Sequence, residues 1–259
     1  MPPNVLWICA DDFTPDAWGR TAMRLLALAL LVAAQPAANP AAWEPAPRAK
    51  EYPRMSVVAW KGLHDGHLAR SKKGGVGVVF LGDSITQGWD GAGAKVWKDR
   101  FAPFDAANYG IGGDTTREVL YRVDAGVLDG IAPKAVVVMI GPHNLGLAGD
   151  SVADTAKGVG AVVAAVRRKA PAAKVLLLGV FPRDKTAGTA FRKTIAEANG
   201  VIAKLADGKA VVYRDIGPAF LAADGTLPAD VMPDALHLSE KGYRIWADAI
   251  DEPLRALLR

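Results

Sequence analysis

The stretch Val76-Gly77-Val78-Val79-Phe80-Leu81-Gly82-Asp83-Ser84-Ile85-Thr86-Gln87-Gly88-Trp89 decides the fold. An apolar run stops at a glycine and an acid and delivers a serine, as a buried strand does when it carries a nucleophile to the end of a sheet. Further along, apolar runs alternate with helical patterns in the manner of parallel βαβ units. Strands are expected near 76–81, 105–109, 135–140, 174–180 and 210–214, and helices near 56–71, 115–123, 151–169, 189–206 and 239–257. Ala135 to Ile140 and Val175 to Leu178 are apolar throughout, which implies a sheet covered on both faces. The predicted fold is α/β: a three-layer sandwich with a five-stranded, mostly parallel sheet in flavodoxin-like order. Such sheets bind ligands beyond the carboxyl ends of their strands, where Ser84 lies.

A serine hydroxyl is a weak nucleophile, so it needs a base, an acid to orient that base and donors for the oxyanion. Asp234-Ala235-Leu236-His237 offers the acid and the base three residues apart, ahead of the last helical pattern. Taken alone, the pair also fits a surface turn and a helix N-terminus; following the last strand, and with Ser84 following the first, it reads as a catalytic pair. Asn108-Tyr109-Gly110-Ile111-Gly112-Gly113-Asp114-Thr115-Thr116-Arg117 places glycines just before a helix, where backbone N–H groups can approach a ligand. A phosphate-binding loop is the competing reading, but the lysine and spacing of a P-loop are missing.

Gly82-Asp83-Ser84, Gly110-Ile111-Gly112-Gly113-Asp114-Thr115-Thr116, Gly141-Pro142-His143-Asn144 and Asp234-Ala235-Leu236-His237 fall in the order of the four blocks of the SGNH (GDSL) hydrolases. The chain resembles that family over residues 56 to 257, and within it the catalytic subunits of platelet-activating factor acetylhydrolase and their bacterial secreted relatives. The resemblance implies a serine esterase without metal or cofactor. Ser84 is then the nucleophile, His237 the base and Asp234 its orienter, with the N–H groups of Ser84 and Gly113 as oxyanion donors. The third block departs from the family, which has Gly-x-Asn with the Asn amide as third donor. Here His143 stands at that position, so either His143 or a shifted Asn144 donates, or the enzyme is weakened. The expected activity is hydrolysis of short acyl esters, with a carbohydrate O-deacetylase fitting best. A lysophospholipase or other lipid esterase, and a binding protein that kept the fold and lost turnover, are the alternatives.

The net charge of +4 comes from scattered Lys and Arg, and the densest spots, Lys72-Lys73 and Arg167-Arg168-Lys169, read as solvated helix ends and not as a nucleic-acid patch. The lone cysteine, Cys9, excludes an intrachain disulfide and a cysteine-based zinc site. His64 and His67 have a spacing that can share a metal, but without a third ligand nearby they read as a solvated helix face.

Ahead of the domain, Met23-Arg24 followed by Leu25 to Ala34 has the positive start, apolar core and small residues of a secretory signal, with cleavage expected after Ala34. A secreted or periplasmic protein without stable membrane anchoring follows. Residues 35–55, rich in Pro and Ala, read as a linker. Residues 1–22, with Asn4-Val5-Leu6-Trp7-Ile8-Cys9-Ala10-Asp11-Asp12, resemble the first strand of type I sulfatases. No Cys- or Ser-x-Pro-x-Arg nucleophile motif follows, so this stretch is expected to be an upstream or misassigned start, with Met23 the true one.

Overall fold

The computed structural model describes residues 40–52 and 54–259; the signal-like and sulfatase-like stretches lie outside them. Pro40–Arg259 forms a single compact unit. Its elements, in chain order, are α1 (Val57–Lys72), β1 (Val78–Gly82), α2 (Ser84–Gln87), α3 (Ala94–Arg100), β2 (Ala106–Gly110), α4 (Thr116–Asp124), β3 (Ala135–Met139), α5 (Val152–Lys169), β4 (Lys174–Leu178), α6 (Ala190–Ile202), β5 (Val211–Arg214) and α7 (Glu240–Leu258).

The five strands pair in parallel in the order β2-β1-β3-β4-β5. The chain steps outward from β1 to β2 and then crosses back to β3. The strand order therefore reverses between β1 and β3, which opens a crevice at their carboxyl ends.

Alternate side chains of each strand feed opposite layers. Val79, Leu81, Val136, Val138, Val175 and Leu177 pack with Val119 and Val123 of α4, Val159 and Val166 of α5 and Ile195 of α6. Val78, Phe80, Val137, Met139 and Leu176 face Trp89, Val96, Tyr243 and Trp246 on the other side. That second layer is aromatic-rich: Trp89 stands 5.2 Å from Phe101 edge-on and 5.1 Å from Trp246.

The helices start where their side chains can satisfy free N–H groups. Ser56, Ser151, Thr189 and Ser239 each cap a helix with a side-chain oxygen, and Thr115 forms a reciprocal capping box with Glu118 on α4.

Two sequence expectations are corrected. The segment read as a linker is, over its described residues, part of the domain. The Ala42 carbonyl accepts from Thr116 Oγ1, the Pro40 carbonyl from Arg117 Nε, and the Lys157 ammonium sits 3.3 Å from the centre of the Trp43 ring. These anchors lie on α4 and α5, far along the chain, so composition could not reveal them. The face of α1 bearing the two histidines is likewise not solvated. Trp60, His64 and Ser71 are buried, His64 stacks on Trp60, and His67 stacks on Tyr109 at 4.9 Å. Burial is the main cause holding both imidazoles below their ordinary range, His67 to about 3.

Candidate active site

The turn from β1 into α2 requires glycine on both neighbouring strands. A Cβ on Gly82 would lie 2.3 Å from the Met139 carbonyl oxygen, and one on Gly110 would lie 2.1 Å from the Gln87 nitrogen. Asp83 caps α2 by accepting from the Ile85 N–H at 2.9 Å. The Asp83 side chain is wholly buried, which pushes its carboxyl up to about 7, and its second oxygen has no partner. The result is a tight platform that lifts Ser84 to the sheet's edge.

His237 arrives from the other end of the chain. Its Nε2 is 3.0 Å from Ser84 Oγ, and its Nδ1 is 2.7 Å from Asp234 Oδ2. The other carboxylate oxygen of Asp234 accepts from the N–H groups of Leu236, at 3.1 Å, and His237, at 2.7 Å. Ala235 takes the left-handed conformation, φ 57°, that lets so short a segment fold back on itself. Partial burial works against ionisation of Asp234, but hydrogen bonds from the His237 ring and backbone outweigh it and hold the carboxyl below the usual range. It remains a carboxylate and fixes His237 with Nε2 facing the serine.

The Gly112–Gly113 loop faces this pair. Gly113 has φ 77° and Gly112 passes close to the Ser84 side chain. The N–H groups of Ser84 and Gly113 have no acceptor among the described residues. Ser84, Gly112, Gly113, His143, Asp234 and His237 together line a cleft of about 560 Å³, completed by Tyr52, Arg54, Met55, Gln87 and Leu147. That volume suits a small organic substrate. Among the described residues no cluster of three or more potential ligands could hold a metal ion.

Residues 80–245 match the GDSL-like Lipase/Acylhydrolase family. The chain belongs to that family. It is 36% identical over 215 residues to the alpha1 subunit of platelet-activating factor acetylhydrolase IB from Bos taurus, covering 82% of this chain and 90% of the relative. The alpha2 subunit from Rattus norvegicus is 34% identical over 77% of this chain and 85% of its own length. Among solved structures, a GDSL-like lipase of Bacteroides thetaiotaomicron superposes with a TM-score of 0.61 at 20% identity, covering 76% of this chain and 97% of that one. An acetylxylan esterase of Geobacillus stearothermophilus gives 0.55 at 19%, covering 71% and 94%. These structural likenesses carry the fold, and the sequence match carries the acylhydrolase class.

Within this GDSL-like frame one of the alternatives for the third block falls away. Asn144 is fully buried and faces away from the cleft: its side chain accepts from the Thr116 N–H and donates to Thr116 Oγ1 and to Asp150. It is a strut between the π-helical turn Asn144–Ala148 and α4, and its amide has no capacity left for a substrate oxygen. His143 is the residue of this block that lines the cleft. Burial, then the charges of Arg183, Arg48 and His237, pushes its imidazole down to about 4. It is therefore neutral at ordinary pH and carries a single N–H.

Besides the cleft-lining Tyr52, Arg54, Met55 and Leu147, three residues that support the glycine loop escaped the sequence reading. Gln87 Oε1 accepts from the Gly112 N–H at 2.8 Å, Arg48 NH2 donates to the Gly112 carbonyl at 2.9 Å, and Arg122 grips Asp114 beneath the loop. Only Gln87 had a local signal, its place in the segment that follows Ser84.

Proposed function

We propose that this acylhydrolase cleaves short acyl esters, chiefly acetyl esters of hydroxyl-rich alcohols such as glycans, through an acyl-enzyme on Ser84, and that it works outside the cytoplasm. The observation that carries the catalytic part is the Ser84–His237–Asp234 relay, with both contacts at hydrogen-bond length in an open cleft. Ser84 Oγ attacks the ester carbonyl carbon while His237 Nε2 takes its proton. The carbonyl oxygen becomes an oxyanion held by the N–H groups of Ser84 and Gly113, with His143 as third donor. His237 then returns the proton to the departing alkoxide. Water, deprotonated by the same nitrogen, attacks the acyl-enzyme and frees the acid and the serine.

The acetyl preference is supported by the curated relatives, which are named acetylhydrolases. Tyr52, Met55 and Leu147 supply apolar side chains to the cleft, against which the acyl group can pack. Arg54 and Gln87 on the wall suit a polar alcohol. A lipid ester is the second reading, favoured by the same relatives, whose name specifies platelet-activating factor. Export rests on the composition of Met23 to Ala34.

Four measurements test this reading. Ser84→Ala should lower turnover of p-nitrophenyl acetate by about 10⁴-fold or more without loss of folding; full activity in a folded variant would sink the serine mechanism. Acetate release from acetylated glycans, set against acetylated phospholipids and longer p-nitrophenyl esters, should favour the glycans; preference for the phospholipid selects the second reading. N-terminal sequencing of exported protein should begin at Gln35, and retention in the cytoplasm would remove the export part. Failure of Ser84 to take a fluorophosphonate label would favour a binding protein over an enzyme.

A further inference from the structure

Arg48 belongs to the segment that precedes α1, yet its guanidinium ends beneath the glycine loop of the active site. The side chain is 1% exposed. NH2 donates to the Gly112 carbonyl at 2.9 Å and to Asp114 Oδ1 at 3.0 Å. Nε lies 3.9 Å from Glu118, and the guanidinium sits 4.8 Å from the centre of the Tyr52 ring. NH1 is buried with no acceptor and stands 3.0 Å from where a Cβ on Gly113 would be. Gly113 is thus held to glycine by its positive φ and by the guanidinium packed against it.

The bond to Gly112 matters because of which peptide it grips. The Gly112 carbonyl and the Gly113 N–H belong to one planar peptide unit, and no peptide bond among the described residues is cis. In a trans peptide those two groups point in opposite directions. A donor clamped on the carbonyl therefore fixes the direction of the N–H, and by drawing electron density toward the oxygen it also strengthens that N–H as a donor. Gln87 holds the preceding peptide through the Gly112 N–H, so both planes flanking Gly112 are pinned. Asp114 in turn is fixed by Trp60 at 2.7 Å and by two nitrogens of Arg122, so the clamp rests on a buried base.

We propose that Arg48 is a positioning residue of the oxyanion site: it locks the Gly112–Gly113 peptide so that the Gly113 N–H is presented to the developing oxyanion. The assignment rests on the serine-esterase reading above. The N-terminal segment is then a working part of the active site.

The test uses the full chain with Arg48→Ala and Arg48→Lys, measured on p-nitrophenyl acetate beside the parent and Ser84→Ala. Arg48→Ala should lose about 10- to 100-fold in kcat with KM within about twofold, because a misdirected donor is felt where charge develops. Millimolar guanidinium chloride should restore a saturable part of that loss in Arg48→Ala and do nothing for the parent. Arg48→Lys, which keeps one donor and the charge, should fall between the two. If Arg48→Ala does not fold, Arg48→Lys decides, measured well below its melting temperature. A folded variant with the parent's kcat, or a loss that follows only the unfolded fraction and is not rescued, overturns the positioning role alone. A parent that does not turn over the ester, or a Ser84→Ala protein that still does, removes the esterase reading with it.

Discussion

The two sides of Ser84 are built in opposite ways. On one side, Asp234 and His237 are three residues apart in one turn, and their side chains are 48% and 38% exposed. On the other, the Gly112–Gly113 loop rests on Arg48, Asp114 and Arg122, with Asp114 and Arg122 wholly buried and segments 66 residues apart joined by one hydrogen bond. The difference fits the roles proposed for the two sides. A base must take a proton and give it back, so contact with water and slight freedom of the ring do no harm. An oxyanion donor is useful only if it is already aimed when charge appears, so it is set in a rigid, desolvated network. Burial pushes Asp114 up to about 6, while Arg122 and Arg48 favour its ionised form, so at neutral pH it remains the anion that the two guanidiniums need.

The sharpest way to break this contrast is a crossed pair of substitutions. Asp234→Ala should lower kcat by about 10²- to 10⁴-fold while costing about 1 kcal/mol of stability or less, since it removes contacts in an exposed turn. Asp114→Ala should do the reverse in emphasis, destabilising by about 3–5 kcal/mol because two buried guanidiniums lose their counter-charge. Urea unfolding of both variants beside their kinetics decides the matter. Equal losses of stability would show that the two sides are not built differently.

His143 sits between the two sides and gives a smaller effect. His143→Ala should lower kcat by about 10²- to 10³-fold if the imidazole N–H meets the oxyanion, and His143→Asn, which restores the family's amide, should at least match the parent. Because its imidazole is held at about 4, His143 gains no proton until the pH falls toward that value. The kcat profile above pH 5 should keep its shape in His143→Asn. An alkaline limb that shifts with this substitution would mean that the imidazole is charged in the working range.

The smallest test concerns the N-terminal strap. A chain starting at Ala49 should melt several degrees below one starting at Pro40, since it loses the bonds of Pro40, Ala42 and Arg48 to α4 and the loop. Equal melting temperatures would mean that the strap contributes nothing to the fold.

The same contrast explains what is legible in the sequence. Strand order, layers and the relay follow from local patterns: apolar runs, a glycine-acid-serine break, and an acid three residues before a histidine. The support of the oxyanion loop does not, because Arg48 sits in a Pro- and Ala-rich stretch and meets its partners only after the chain has folded. Asn144 departs from expectation for a related reason. Its position beside His143 looks suited to substrate, but the π-helical turn swings its amide toward Thr116. The histidines of α1, with no third metal ligand nearby, read as a solvated face, yet Trp60 and Tyr109 supply apolar faces for them.

The strap also sets an order of events during synthesis. Arg48 leaves the ribosome 66 residues before Asp114, a wait of about 3–13 s at roughly 5–20 residues per second. Throughout that interval the guanidinium has neither the carboxylate nor the glycine carbonyl that will hold it. The earliest described segment to be made therefore cannot dock until the glycine loop has emerged, and the relay is completed later still, when Asp234 and His237 follow from the far end of the chain.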